Sequence, residues 1–378
     1  MAMDRLFQLM KDKGASDIFL AVNSPIQLKL NGNMIPINQQ KMDQASIMSL
    51  LAEVVSAEKL KELERNNELN MGIPVRGVGS FRLSAFCQRG SISAVLRYIP
   101  VDIPPLEDLH IPPILSELIM EKRGLILVVG ATGSGKSTTI ASMLDHRNAM
   151  QAGHILTLED PIEFLFSNKK SIVNQREIGS DSASLGIALK NALRQAPDVI
   201  LIGEIRDKDT MGAAIAYAQS GHLVVATLHA NNSYQAMTRI ISFFPIETRQ
   251  SLLPDLATTL KAIVSQRLVR SVDGGRRAAV EVLLNTRHIS ELIEQGELSQ
   301  IKEAMEKSLS PGSQTFEQAL ILLIREGLVT QEEALANADS ATNLYWLLNN
   351  EQAKDAKQEQ PQAKIEDGAT FTEFTLHT

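Results

Sequence analysis

The chain has little cysteine, few aromatic residues, no excess of positive charge and no long apolar run, and each shortage excludes something. A single cysteine, Cys87, rules out an internal disulfide framework and a four-cysteine zinc site, and reads as a half-buried small hydrophobe. With 4% aromatic residues there are few platforms for stacking bases along a single strand. The formal charge is −7 and the longest basic clusters are pairs such as Lys169-Lys170 and Arg276-Arg277, so no nucleic acid partner is expected. No segment reaches the apolar length that spans a bilayer, and Met1 to Asp17 has neither a signal-peptide core nor a small-residue cleavage site. A cytoplasmic protein is expected. What is present is ample for two domains with a core each: 378 residues at 44% hydrophobic content.

The apolar run Leu125 to Val129 leads straight into Gly130-Ala131-Thr132-Gly133-Ser134-Gly135-Lys136-Ser137-Thr138. A strand running through a glycine-rich turn into a helix is the arrangement a P-loop needs. Small residues let successive backbone N–H groups close around a β-phosphate, Lys136 reaches the β/γ oxygens, and the Ser137 hydroxyl is placed for Mg²⁺. The following helix turns its positive end to the anion. A plain glycine-rich turn is the alternative, and the Lys136-Ser137 pair in register speaks against it.

Around this loop, residues 114–285 alternate apolar runs with amphipathic stretches. Strands are predicted at Leu125–Val129, Ile155–Leu158, Ser171–Asn174, Val199–Ile202 and Leu223–Leu228, with Leu185, Ala188, Leu189, Ala192 and Leu193 on one helix face. Such alternation implies an α/β core whose mainly parallel sheet is covered on both faces and binds ligand at the carboxyl ends of its strands. Residues 1–99 read as a small α+β domain. It has a helical stretch from Asp43 to Glu64, an alternating strand Ile26–Leu30 running into an Asn31-Gly32 hairpin, and a strand pair Gly79–Phe86 and Ser91–Tyr98. Residues 100–113 hold Pro100, Pro104, Pro105, Pro112 and Pro113 and read as a stiff, extended linker on which the domains pivot. Residues 286–350 read as helical, with a capping box at Thr330-Gln331-Glu332-Glu333. Residues 351–378 turn to Gln, Lys, Glu and Ala and are expected to be disordered.

Three further segments carry chemistry. The apolar run Asp198 to Ile202 ends in Gly203-Glu204, and an acid at the tip of a strand beside the P-loop is placed to orient and deprotonate an attacking water. Glu204 takes that role here, the alternative being an exposed strand-end acid. Leu158-Glu159-Asp160-Pro161-Ile162-Glu163 offers Glu159 and Glu163 as carboxylates for the hydration shell of Mg²⁺, or else forms a plain turn at Asp160-Pro161. Gly221 to Asn231 brackets a strand with His222 and His229, which read either as contacts to a γ-phosphate or as packed and solvated histidines.

In this order a P-loop, an acidic box, a Gly-Glu strand end and Gly-His-Leu-x-x-x-Thr-Leu-His resemble the secretion ATPases of type II secretion and type IV pili, over about residues 1–345. The single cysteine and the early P-loop are similar to the pilus retraction group, PilT and PilU, which lacks a zinc module. The resemblance implies a RecA-like P-loop core, a PAS-like N-terminal domain, a helical C-terminal region, and a homohexameric ring. In that ring ATP sits between the two domains of one subunit and the neighbouring N-terminal domain closes over it. Arg82 and Arg97, on adjacent predicted strands, are the cations expected to complete the site across the subunit boundary, or are ordinary exposed strand charges. Arg194 and Arg206 flank the Gly-Glu strand and are expected to sense the γ-phosphate.

One element departs from the group. Where PilT-like proteins carry Ala-Ile-Arg-Asn-Leu-Ile-Arg-Glu, this chain has Ala319-Leu320-Ile321-Leu322-Leu323-Ile324-Arg325-Glu326. Ile321 and Leu322 in place of arginine and asparagine, with the extra tail, resemble the accessory PilU branch. That implies an ATPase that assists retraction beside a PilT-type ATPase and acts on the PilC-type platform protein at the inner face of the inner membrane. Membrane association would then come only through partners. A self-sufficient retraction motor, a DNA-translocating RecA-type hexamer and a regulatory ring that binds ATP without contributing work are the other readings.

Overall fold

Amphipathic spacing sets the first element of the structure, a computed structural model that describes residues 2–30, 32–75, 77–99, 102–308 and 310–358. Met3, Phe7 and Met10 lie on one face of the helix Ala2–Lys13 and are buried, with the Phe7 ring stacked on Phe81 at 4.0 Å between centroids. Strands β1 (Asp17–Leu20), β2 (Gln27–Leu30), β3 (Asn33–Pro36), β4 (Glu68–Val75), β5 (Gly79–Gln88) and β6 (Ser91–Ile99) form one antiparallel sheet in the order β3-β2-β1-β6-β5-β4. The hairpin expected at Asn31-Gly32 joins β2 to β3, with Gly32 at φ +85; Asn31 itself lies outside the described residues. The single helix expected from Asp43 to Glu64 is two, Gln44–Ala52 and Ala57–Asn66. The break falls where Val54-Val55 meets Ser56, whose hydroxyl caps the second helix. Cys87 is exposed near the end of β5, not half-buried.

The second sheet holds β7 (Gly124–Val129), β8 (Gly153–Glu159), β9 (Ser171–Glu177), β10 (Val199–Ile202), β11 (Leu223–Leu228), β12 (Leu260–Arg270) and β13 (Arg276–Leu284), in the order β13-β12-β7-β11-β10-β8-β9. Every pair is parallel except the hairpin of β12 with β13. β7 and β10 are buried along their whole length, as continuous apolar runs covered on both faces should be. On one face Ile140, Met143 and Leu144 of the helix Lys136–Met150 pack on Ile126 and Val128. On the other, the helices Leu185–Ala192, Lys208–Gln219, Ser233–Ser242 and Ile246–Thr259 cover Leu125, Leu127 and Ile200. Leu193, placed by its spacing on the buried face of Leu185–Ala192, is exposed because a 3₁₀ turn over Leu193–Gln195 ends that helix.

The proline-rich connection does not stand off as an extended spacer. Pro100 lies outside the described residues; beyond it a 3₁₀ turn over Leu106–Leu109 docks on the core. Leu106 is buried beside Leu115, and Ser142 Oγ donates to the Pro104 carbonyl at 2.7 Å. Apolar side chains between the prolines explain the correction, because burying them outweighs the stiffness of the connection. Beyond β13 the helices Phe316–Arg325, Gln331–Asn337 and Ala341–Gln358 cover Val269 and Ala279 of the β12–β13 hairpin. Thr330 caps its helix, while the reciprocal capping box forms at Thr315 and Gln318. The last helix runs past Asn350 to Gln358, into the segment expected to lack structure, through a run of good helix formers. Residues 359–378 of that segment lie outside the described residues. Among the described residues no helix is long and apolar enough to cross a membrane.

Candidate active site

β7 ends at Val129 and the chain turns at once into the helix Lys136–Met150, so the glycine-rich loop sits at the carboxyl edge of the sheet. Its glycines have a visible cause in Gln266 of β12. A Cβ on Gly130 would lie 2.5 Å from the Gln266 carbonyl oxygen, and one on Gly135, at φ +90, would lie 2.7 Å from Gln266 Nε2. Gln266 is buried and its Oε1 accepts from Thr139 Oγ1 at 2.8 Å, tying the helix to the strand beside it. No sequence pattern singles out Gln266, because its role exists only once β12 lies against β7.

Lys136 Nζ donates to the carbonyls of Gly130 and Ala131, each at 2.8 Å. Burial pulls its pKa below the ordinary lysine value, and the carboxylates of Glu163 and Glu204 push it back up. Thr132, Gly133, Gly135, Lys136, Ser137 and Thr138 line a cavity of about 890 Å³ that also takes in Glu159, Glu163, Glu204, Arg206 and His229. Gly130 and Ser134 belong to the loop but do not line the cavity; Ser134 Oγ is buried without a hydrogen-bond partner.

The parallel register of β10 and β11 carries Glu204 and His229 to the same edge. Arg206 Nε donates to Glu204 Oε2 at 2.6 Å, and His229 Nε2 lies 3.2 Å from Glu204 Oε1. Arg206 Nη1 is also 3.9 Å from Asp160. On the acidic loop, Glu159 Oε1 accepts from Thr157 Oγ1 at 2.6 Å and Gln175 Nε2 at 3.3 Å. Burial raises the Glu159 pKa, and those hydrogen bonds oppose the rise. No group of three or more His, Cys, Asp and Glu among the described residues is arranged to hold a metal ion. The donors that are present, the Ser137 hydroxyl with Glu159 and Glu163 nearby, fit an ion that takes most of its oxygens from phosphate and water, as Mg²⁺ does.

Two expected site residues are elsewhere. His222 precedes β11 at the opposite edge of the sheet, where its carbonyl accepts from Gly124 N–H and its ring lies 3.0 Å from Ser220 Oγ. A strand separates it from His229, roughly 20 Å at ~3.3 Å per residue. Arg194 is exposed on the 3₁₀ turn before β10, again at the amino edge and away from the cavity. The carboxyl-edge rule for parallel sheets distinguishes both from Glu204 and His229.

Arg82 and Arg97 stand directly opposite each other across β5 and β6, and both line the cavity. Arg97 Nε donates to Asp17 Oδ1 at 2.9 Å. Arg82 adds a positive charge to the cavity wall beside the Arg97–Asp17 pair, which suits an anionic ligand. The arginines reach the cavity of their own chain, and the expected role across a subunit boundary is a matter for the neighbouring copy. Arg97→Ala should therefore lower ATP turnover at least ~10-fold. Mixing Arg97→Ala chains with Glu204→Gln chains should restore part of it through boundaries where both parts are intact, and no recovery in a well-mixed preparation would place the action of Arg97 within one chain.

In the C-terminal element Ile321 is 5% exposed and joins the core, whereas Leu322 is 48% exposed. The two replacements thus part company, one packed inward and the other presented to solvent.

The family description "Type II/IV secretion system protein" matches residues 2–336. The chain is 46% identical over 357 residues to the type IV pilus ATPase PilU of Pseudomonas aeruginosa, covering 94% of both. It is 36% identical over 343 residues to the type IV pilus retractation ATPase PilT of the same organism, covering 91% of this chain and all of that one. Among solved structures, the pilus retraction motor PilT with bound ADP superposes with a TM-score of 0.84 at 40% identity, covering 89% of this chain and 98% of the other. The Legionella pneumophila ATPase DotB gives 0.74 at 27% identity, covering 88% and 94%.

Proposed function

The chain belongs to the type II/IV secretion system protein family, and from that premise we propose that it is an ATPase of type IV pilus retraction, of the PilU type, working beside a PilT-type motor. The observation that carries the catalytic part is the placement of Glu204, held at the carboxyl tip of β10 by Arg206 and His229 in the cavity that Lys136 lines.

ATP enters with its phosphates in the P-loop, where backbone N–H groups and Lys136 take up charge on the β/γ oxygens. Mg²⁺, when bound through Ser137 and with Glu159 and Glu163 ordering its waters, would neutralise further phosphate charge. Glu204 orients the attacking water and accepts its proton, and Arg82 and Arg97 stabilise charge on the transferring phosphoryl group. His229 and Arg206 hold the Glu204 carboxylate and release it as the phosphate changes. Six such chains in a ring, seated on a PilC-type platform protein at the inner face of the inner membrane, would turn cavity closure into movement of the pilus base.

The PilU-type reading is supported by the 46% identity to PilU and by Ile321 and Leu322 in place of the arginine and asparagine of the retraction element. A leucine presented to solvent where the retraction element has a polar residue suits contact with another protein, and removes a group that the PilT-type motor supplies. The chain should therefore hydrolyse ATP alone and support retraction only with a PilT-type partner. Cells with this chain as the sole retraction ATPase should accumulate unretracted pili; normal twitching in those cells would make it a self-sufficient motor. Strong stimulation of its ATPase by single-stranded DNA would favour the translocase class instead.

A further inference from the structure

The segment that carries His229 leaves the sheet at the end of β11 and is fastened, within three residues, to β12 and to the segment before the last helix. Arg239 Nη1 donates to the His229 carbonyl at 3.0 Å. Arg267 of β12 donates through Nη2 to the Asn231 carbonyl at 3.1 Å and through Nη1 to the Asn337 carbonyl at 2.6 Å. Its charge pairs with Asp339, and its guanidinium lies 4.0 Å from the centre of the Phe316 ring. The other Asp339 oxygen accepts from Asn232 Nδ2 at 2.8 Å, while the Asn232 side chain caps the helix Ser233–Ser242.

We infer that Arg267, with Asp339, is a positioning residue that sets His229 against Glu204 by clamping the His229–Asn232 segment to the C-terminal helices. The guanidinium fork can serve two carbonyls of different segments at once and still face a carboxylate, which an ammonium at the same place cannot do in fixed geometry. Phe316 on one side and Asp339 on the other leave the fork little freedom. The clamp also gives the cavity a physical connection to the helix Phe316–Arg325, which presents Leu322.

The inference rests on the proposed roles of Glu204 and His229, and its test separates the two. Full-length Arg267→Lys, His229→Ala and the double variant would be compared with the parent chain for kcat, KM for ATP and melting temperature. Arg267→Lys keeps the charge and loses the fork, so kcat should fall between ~10- and ~100-fold, as misplacement of a catalytic group does, with KM within ~2-fold. If Arg267 acts through His229, the double variant should be no slower than His229→Ala alone. Losses that multiply would overturn the positioning role while leaving that of His229 in place. A silent His229→Ala would overturn both. A lower melting temperature with unchanged kcat in Arg267→Lys would mark the clamp as structural only and also overturn it. Asp339→Asn, which breaks the same clamp from the other side, is expected to behave as Arg267→Lys and replaces it in the cycle if that variant does not fold.

Discussion

Lys136→Ala should reduce ATP turnover by at least ~10³-fold, to the level of a chain without a working site. Lys136 is the one P-loop side chain whose cation is already directed into the loop, donating to the Gly130 and Ala131 carbonyls. Its ammonium sits where burial opposes the charge and the Glu163 and Glu204 carboxylates restore it, an arrangement that anticipates phosphate oxygens as partners. Alanine removes that charge without placing anything large in the buried space, so the fold should persist. A titration with ATP and a phosphate-release assay on the same preparation check both parts. Turnover within a few-fold of normal would remove the P-loop from the reaction.

Glu204→Gln should bind ATP as the parent does and lose ~10²-fold or more in turnover. The amide keeps the size of the carboxylate and leaves an acceptor for Arg206 Nε, so the strand tip and the nearby His229 keep their places. What disappears is the proton acceptor. This contrast between intact binding and lost hydrolysis distinguishes a base from a residue that merely shapes the cavity. A near-normal rate would move the base elsewhere, with Glu163 the next acid on the cavity wall.

Much of this site is legible in the residues because it is built from local signals. β10 and β11 run over the same residues their apolar runs indicate, Val199–Ile202 and Leu223–Leu228, since strands buried on both faces need no polar alternation. Glu204 follows from being the first acid after such a run. β12 is illegible for the opposite reason: Lys261, Ser265, Gln266 and Arg267 interrupt its pattern, and their polar groups meet Glu121, Glu281, Thr139, Asp339 and the Asn231 and Asn337 carbonyls only after the chain has folded. The same strand supplies both Gln266 behind the P-loop and Arg267 at the clamp, so the supporting layer of the site was hidden as a unit. The first helix was within reach, as Met3, Phe7 and Met10 show helical spacing. His222 and His229 differ in nothing a motif can express; only the direction of β11 tells them apart.

The cavity of this chain should hydrolyse ATP through its own residues, without a companion motor. Phosphate release by the purified full-length chain, given ATP and Mg²⁺ and no other protein, measures this directly. Saturable release with one ADP formed per phosphate is expected. Recovery of bound ATP intact after prolonged incubation would contradict it and leave a ring that binds nucleotide without turning it over.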